Sequence, residues 1–541
     1  MVVSLFTIVL LLVSTTGLAL RFILLLPPDP TIVTSLNDSG PGSLRQAIDA
    51  AKPGSTITFD ARLQGKTIVT RDTLDITKNL TIHGPGAGNL SINSDSSIVV
   101  EVFKDTSLTV MGLTFRGGQA SRGIGNGLFS NDTFLNNGTL ILIESAISGS
   151  VSSGIGNSGT LTLRDSVISH NKDIGIENTG RVTITKSTIS GNAGGGITNS
   201  GFPGPPTSGT GNSGIVSIMN STISENTGPK GSSSVSAGGP VIFASGGGID
   251  NSGTLIITNS TISHNTATST TEDFDTVGMK GTPDVLVISG GGIFNHTPQG
   301  TVFITNSTIF GNTAASNYST LPVYTFSRML VTTGGGITNY GSTLTITNST
   351  ISGNTASIGS GFNGATFSIN GGITNYGGKA DITFGTLYNN TAQGGGRDIF
   401  TGNGEDDNGQ TILGHVQIRN SIVAGDTAHR GPDIAGMLFS YGYNLFQDNS
   451  GATFDPATSK LHGTAKTLSV NDLSRLFADP VALRNNGGPT TTYALGPDSP
   501  AVDQIPLAAC DINGITTDQR GMRRPDGKEQ FCDIGAYESS S

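Results

Sequence analysis

The sequence contains no tryptophan, and aromatic residues of all kinds make up 6% of it. Large rings fill much of a wide globular core, so their scarcity points to a narrow interior packed by repeated aliphatic side chains. Charge is also sparse, at 13% of residues against about 25% in ordinary globular domains. The formal net charge is -10 and no basic cluster is present, which excludes nucleic acid and anionic lipid as electrostatic partners. Only two cysteines occur, Cys510 and Cys532, with 21 residues between them. No zinc-ligand spacing and no Gly-x-Ser-x-Gly elbow is present. The cysteine pair either closes a modest loop as a disulfide in an exported protein or remains two free thiols in a cytosolic one.

Long apolar runs are confined to residues 1–26, interrupted only by Arg21 and ended by Pro27-Pro28. Such a segment reads as a signal peptide or an N-terminal membrane anchor. It has no Lys or Arg ahead of the apolar run, and Gly17-Leu18-Ala19 offers a small-x-small cleavage pattern. An uncleaved anchor and a misplaced start both fit, and export is common to the two.

What the chain has in quantity is glycine, 78 residues, together with Ser, Thr and Asn arranged in a repeat. Residues 334–356 read GGGITNYGSTLTITNSTISGNTA. A glycine triplet invites a phosphate-loop reading, but that loop must open a helix, and here Leu344 and Ile346 alternate with threonines as in a half-buried strand. Ile-x-Asn begins a unit at Ile155, Ile176, Ile197, Ile249, Ile293, Ile337 and Ile373, and Ile124–Asn126 reads as a degenerate earlier copy. A second corner, apolar-x-x-Asn, carries Asn171, Asn192, Asn226, Asn265, Asn312, Asn354 and Asn390, with Phe134–Asn137 read as its upstream copy. Between the corners lie alternating pairs such as Leu161/Leu163 and Leu255/Ile257, then a Ser-x-Ile unit carrying Ile168, Ile189, Ile223, Ile262, Ile309 or Ile351. The uninterrupted period is 21 residues.

Three apolar spots and two corners in that period are too short for a helical-pair repeat and match one coil of a parallel β-solenoid. Each strand then pairs with its own copy one coil along, at about 4.8 Å per coil, and roughly a dozen coils give a rod some ~60 Å long. A tryptophan at any ladder position would have to be matched in every layer, which accounts for its absence. Gly and Asn suit the corners because they tolerate left-handed backbone. The Asn-Ser-Thr sequons at Asn220, Asn259, Asn306 and Asn348 recur at one coil position, which favours a structural role over glycosylation. The expected fold is therefore all-β, a parallel β-helix (solenoid) with a short N-terminal capping helix and a C-terminal cap, its right hand being what the resemblance below implies.

Residues 31–120 form the N-terminal cap and first coils in this reading. Ser43-x-x-Gln46 reads as a capping box and Leu44, Ala47 and Ile48 share one helical face. Residues 121–430 carry the repeats, and residues 431–541 the last coils and the C-terminal cap. Four insertions, residues 227–245, 266–289, 313–333 and 355–369, leave from equivalent positions. They should stack on one side, each ending in an added strand, as a binding face or as inert loops.

The run SLNDSGPGSLRQAIDAAKPGSTITF resembles the N-terminal segment of bacterial CSLREA-type surface proteins, without the leading Cys. LRNNGGPTTTYALGPDSPAVD with TDQRGMRRPDGKEQFCDIGAYE resembles the choice-of-anchor Q domain of exported bacterial right-handed β-helix proteins. The GGGI…N and ISGN corners are similar to the repeats of polymorphic outer-membrane proteins, although no run of alternating barrel strands follows. The resemblance spans residues 31–538 and implies the fold, its handedness and an exported location, without a defined activity.

For chemistry, the densest stretch is residues 404–421, where Glu405, Asp406 and Asp407 precede His415 and Arg419. Clustered carboxylates with a basic residue suit Ca²⁺-assisted proton abstraction or acid–base cleavage of a glycosidic bond. The order resembles that of polygalacturonases, but all the pieces fall within one coil, so Asp406, Asp407 and Arg419 are weak catalytic candidates. Glu272, Asp273 and Asp275 form a lone acidic loop, and His170 and His264 share a variable surface position. Asp503, Asp518, Arg520, Arg523, Arg524 and Asp533 form either an ion-pair network that holds the cap or a Ca²⁺ site. No cofactor is expected beyond that Ca²⁺.

The functional expectation is an exported, surface-associated scaffold that contacts extracellular polysaccharide or cell-envelope components by adhesion rather than catalysis, attached to the membrane through residues 1–26. The alternative is a polysaccharide lyase or glycoside hydrolase. Outward threonine ladders such as Thr343/Thr345 suggest binding to a crystalline surface, but Ile256, Phe303 and Ser217 break that array.

Overall fold

The computed structural model describes residues 30–94, 98–117, 132–200, 214–228, 232–236, 239–270, 285–296, 300–317, 329–358, 365–368, 370–392, 398–405, 410–425, 431–456, 466–479, 481–512, 514–527 and 530–540. A 26-stranded sheet carries two strands of most coils and a 14-stranded sheet carries the third. The period sets the register: Ile155 pairs with Ile176 and Ile176 with Ile197, then Ile197 with Ile249 across a longer interval. Each chain segment returns to its own sheet as a parallel strand through a crossover, the connection that strand twist makes right-handed. Strand pairing therefore gives the parallel β-helix its register and about 4.8 Å per coil. The inward residues of the three strands, for example Ile337, Leu344, Ile346 and Ile351, are fully buried in one aliphatic core.

Two asparagine ladders run through that core. In the first, Asn157 Nδ2 donates to Asn178 Oδ1 at 2.7 Å and Asn178 Nδ2 to Asn199 Oδ1 at 2.8 Å, and the chain of bonds continues to Asn375. The second links Asn171 to Asn390 in the same way. Phe134 belongs to the first ladder, not the second corner: it pairs with Ile155 and Asn136 pairs with Asn157. An apolar residue followed two positions later by Asn satisfies both spacings when Asn137 adjoins Asn136, so the sequence alone misassigns it. Ile124–Asn126 lies outside the described residues.

The coil has a third turn that the two-corner reading missed. Asp165, Lys186, Asn220, Asn259, Asn306 and Asn348 occupy it with φ between 45° and 51°, left-handed values that Asn tolerates best among side-chain-bearing residues. The following serines form their own ladder, Ser166 N–H donating to Ser187 Oγ and Ser187 N–H to Ser221 Oγ. The Asn-Ser-Thr triplet is thus a left-handed turn, a buried ladder rung and a strand residue. In the glycine triplet only Gly334 has positive φ, +58°. A Cβ on Gly335 would lie 2.4 Å from Thr355 O, and one on Gly336 3.1 Å from the Asn354 side chain.

The last three insertions leave as one strand and return as another: Thr266–Thr270, Thr313–Asn317 and Thr355–Ile358, with Thr391–Ala392 of the following coil, build a four-stranded sheet, which the first insertion touches only through a bridge from Thr227 to Thr266. Gly239–Ser245, Val285–Ser289, Met329–Thr333 and Ala365–Ser368 run parallel in a second sheet, with Ser232–Ser236 added antiparallel at its edge. The coils are therefore widened as expected, but the last three insertions add two strands each where one was expected. The buried alanine rungs Ala267, Ala314 and Ala356 line the leaving sheet.

At the N-terminal end, α1 (Leu44–Ala50) buries Leu44, Ala47 and Ile48 as its spacing predicts. Ser43 Oγ accepts from Gln46 N–H, but the Gln46 side chain accepts from Gly42 N–H, one residue before the N-cap, so the box is shifted. At the other end the chain forms α2 (Val470–Leu476), with a capping box between Ser469 and Asp472. It then does more than close the last coil: it folds back along the outer face of the third-strand sheet. Outward residues there change from half-exposed Thr188, Thr222 and Thr261 to buried Thr308, Thr350, Ile422 and Ala424, and a second hydrophobic core forms with Leu476, Phe477, Tyr493 and Leu495. Gln519 is central to this docking. Its Nε2 donates to Thr308 and Thr490 Oγ1, both at 2.8 Å, and its Oε1 accepts from Thr350 Oγ1 at 2.7 Å.

Gln519→Leu would strand these buried hydroxyls at a cost of about 3 kcal/mol. Hydrogen exchange should then accelerate across residues 470–540 while the coils before Thr308 stay protected; unchanged exchange would refute this role.

The C-terminal charges are an ion-pair network. Arg520 pairs with Asp518 at 2.8 Å and Arg524 with Glu538 at 3.2 Å, all four nearly inaccessible. Asp518 also accepts the N–H groups of Arg520, Met522 and Glu538, and Asp533 those of Asp503 and Ser539. Arg524 lies over the Phe384 ring at 4.2 Å. Arg523 stays exposed, and Glu538 joins in its place. Cys510 and Cys532 are joined as a disulfide.

Candidate functional site

Alternation along Ile-x-Asn points the Ile and Asn inward and the middle residue outward. The register strings these residues into a row, Glu177, Thr198, Asp250, Phe294, Thr338, Thr374 and Phe400, each beside the next, of which Phe294, Thr338 and Thr374 in the middle are buried. Six steps of about 4.8 Å make the row ~29 Å long. The returning insertion strands run straight into this sheet through the glycine triplets.

The two ends of the row differ. At one end are carboxylates. Asp132, two residues before Phe134, is 2% exposed; burial first, then the charges of Glu177 and Asp173, push its carboxyl up to about 8. Burial likewise raises Asp173 and Glu177, and Glu177 accepts from Ser153 Oγ. Two coils on, Asp250 Oδ1 lies 2.8 Å from His296 Nε2, and Phe294 stacks on that imidazole with centroids 4.7 Å apart. Burial opposes charge on His296, but the charge and hydrogen bond of Asp250 outweigh it and the net displacement is upward.

At the other end are rings. Tyr340 pairs in register with Tyr376, and Tyr376 meets Phe400 at 5.3 Å between centroids. Both rings lie over Gly402, where an added Cβ would come within 2.8 Å of Phe400 and 3.1 Å of Tyr376. Around the next corner His415 stacks on Phe439 at 3.9 Å. Tyr340, Tyr376, Phe400, His415 and Phe439 are all half-buried, with part of each left to solvent.

The sequence-derived candidates do not form a single constellation. Asp406 and Asp407 lie outside the described residues, between strands Gly404–Glu405 and Thr411–Ile412 of an antiparallel hairpin at that corner. Arg419 sits at the far end of the strand His415–Arg419, about 13 Å from His415 at ~3.3 Å per residue, with its guanidinium 5.1 Å from the Tyr441 ring centre. Burial holds His415 below the usual imidazole range. Glu272, Asp273 and Asp275 lie outside the described residues. His170 and His264 are exposed, with φ of 55°. Among the described residues no three His, Cys, Asp or Glu side chains are gathered so as to hold a metal ion, and no helix is long and apolar enough to cross a membrane; residues 1–26 lie outside them.

Sequence reasoning missed the outward row because its members are 21, 52 and 44 positions apart at Glu177, Thr198, Asp250 and Phe294. The signal that finds it is the middle residue of each Ile-x-Asn, read as a column.

No family model and no curated protein matches the sequence. Among solved structures, pectate lyase Pel9A is similar over 92% of this chain and 91% of its own, at 13% identity and a TM-score of 0.37. The A-module of mannuronan C-5 epimerase AlgE4 from Azotobacter vinelandii covers 78% of this chain and 93% of its own, at 11% identity and 0.35. A GH87 alpha-1,3-glucanase catalytic domain covers 79% of this chain and 68% of its own, at 13% identity and 0.36. At these scores the likenesses carry no argument about site or substrate.

Proposed function

We propose that the protein is an exported, surface-associated scaffold that binds extracellular polysaccharide or cell-envelope glycans along the outward face of its first sheet, by adhesion rather than catalysis. The observation that carries this reading is the strip of half-buried rings, Tyr340, Tyr376, Phe400 and the His415–Phe439 stack. Aromatic faces pack against the C–H faces of sugars, and the coil repeat of about 4.8 Å places successive rings at a spacing comparable to one sugar residue. The β-ladders hold the strip rigid, so little ordering entropy is lost on binding. The Cys510–Cys532 disulfide supports an oxidising, exported setting, with residues 1–26 as export signal or membrane anchor.

Tyr376→Ala or Phe400→Ala should each weaken binding roughly tenfold in affinity electrophoresis against a polysaccharide panel, the effect of losing ~1.4 kcal/mol of ring packing. Unsaturated products or new reducing ends appearing in the same panel would overturn the adhesive reading in favour of a lyase or hydrolase.

A further inference from the structure

We propose that the sheet face formed by the strands Thr254–Thr258, Thr301–Thr305 and Thr343–Thr347 is a subsite for a flat, uncharged glycan ribbon, a chain of pyranoses joined through equatorial bonds as in β-1,4-linked glucose. The proposal rests on the glycan-binding reading above and names its ligand class.

The placement comes from strand register. In each of the three strands the second and fourth residues are buried in the core, and the first, third and fifth point outward. Pairing sets Thr254, Thr301 and Thr343 side by side as one row, Ile256, Phe303 and Thr345 as the next, and Thr258, Thr305 and Thr347 as the third. A threonine row therefore runs on each side of the row that holds Ile256 and Phe303, at about 6.6 Å, the rise of two strand residues. All of these residues reach solvent: Phe303 is 42% exposed and Ile256 38%, and the threonines are half-exposed. Ile256 and Phe303, which break a uniform threonine array, are thus the centre of a patterned one. In the preceding strand, Ile215–Met219, the pattern inverts, with Ser217 in the middle row between Ile215 and Met219, and the subsite ends there.

A large ring and an isoleucine exposed together on a sheet face mark a contact surface, and the surroundings name what it contacts. None of the outward residues of the three strands is charged, and in the next strand Lys379 and Asp381 answer one another at 3.1 Å. An ionic ligand finds no free partner on this face, whereas a neutral one loses nothing by docking there. Threonine hydroxyls both donate and accept hydrogen bonds, as sugar hydroxyls do.

An equatorially linked pyranose chain carries the complementary pattern. Its C–H groups form two flat faces, and its hydroxyls project along both edges. Laid across the strands, it sets C–H groups on Phe303 and Ile256 and its edge hydroxyls against the two threonine rows. Axially linked chains coil and cannot keep both edges aligned. The coil repeat of about 4.8 Å is comparable to one sugar residue, so the three strands hold about three of them. Tyr340 precedes Thr343 by three positions, which joins this face to the strip of rings.

The test is calorimetric titration of the full chain with three hexamers: β-1,4-linked glucose; α-1,4-linked glucose, which keeps the sugar and changes the shape; and β-1,4-linked glucuronate, which keeps the linkage and adds charge. The β-linked glucose hexamer should bind at least fivefold tighter than either of the others. Phe303→Ala should weaken its binding about tenfold, and Phe303→Tyr, which keeps a ring, should stay within twofold. Thr301→Val combined with Thr343→Val removes hydroxyls from one row at nearly constant volume and should weaken it at least threefold. Phe531→Ala removes a ring that is 44% exposed on the C-terminal cap and should change nothing.

Equal or tighter binding of either competing hexamer overturns the proposal. So does an unchanged affinity in Phe303→Ala, or an equal loss in Phe531→Ala. If glycans bind in a Tyr376-dependent way that Phe303→Ala leaves untouched, this subsite falls and the glycan-binding reading stands. If no glycan binds, both fall.

Discussion

Replacing Asn312 by alanine is expected to destabilise the coils on either side of it by about 4 kcal/mol, from the loss of several net hydrogen bonds and the buried groups left unpaired. One side chain carries four bonds here. Its Oδ1 accepts from the backbone N–H and from Nδ2 of Asn265, both at 3.0 Å, and its Nδ2 donates to Ile262 O at 2.9 Å and Asn354 Oδ1 at 3.0 Å. Asn312 is fully buried, so water cannot replace what alanine removes. Asn312→Asp is nearly isosteric and keeps the acceptor, but it loses both donations and places a carboxylate against Asn354 Oδ1 and Ile262 O, so it should be no better tolerated. In a solenoid each coil contacts only its neighbours, and a weak rung lowers the coupling between the two halves. Chemical denaturation of Asn312→Ala should therefore show a lower midpoint and a split transition. An unchanged single transition would mean that the ladder adds little beyond the aliphatic core.

Stability should fall as pH rises from about 5 to about 8. Burial pushes both Asp132 and Glu538 up to about 8, from ordinary values of 3.8 and 4.5. For Glu538 the neighbouring Arg524 opposes the rise and Asp533 adds to it; three carboxylates face two arginines there, so one retained proton balances the cluster. Between the unfolded and folded values the native chain holds a proton at each carboxyl that the unfolded chain has released. Stability is then fully present below about 4 and is lost progressively up to about 8. Each group contributes several kcal/mol across that window, since one pH unit of displacement corresponds to about 1.4 kcal/mol. Melting temperatures measured from pH 4.5 to 9 should fall with pH. Glu538→Gln, which keeps an acceptor for Asp533 N–H, should flatten part of the slope and stabilise the alkaline end. A melting temperature that climbs from pH 5 to 8 would show that these carboxyls ionise normally.

Within the repeats the sequence was legible rung by rung. Ile155, Ile176 and Ile197 carry their positions in a strict spacing, and Asn312 and Asn354 in a recurring corner motif, because a ladder demands the same residue type at the same place in every coil. Legibility failed where one residue met two spacings, as at Phe134. At Asn220 and Asn259 the repetition of the triplet made a structural role legible, but not that it marks a third, left-handed turn. The site was the least legible part. Asp406, Asp407 and Arg419 drew attention because they are close in sequence, but a strand spreads neighbours along its length, and Arg419 ends up over Tyr441.

By itself, then, the sequence determined the coil: its period, its inward aliphatic and asparagine rungs, and the helix that caps its first turn, because these depend on contacts between copies of one local pattern. Only the tertiary structure decided which outward residues meet. The intervals between successive coils vary with the insertions, so the adjacency of Glu177, Thr198, Asp250 and Phe294 exists only after the strands have paired. The return of residues 470–540 along the flank was decided there too, because Gln519 finds Thr308 and Thr350 through side-chain hydrogen bonds across 211 and 169 positions, and no periodic spacing records such a contact.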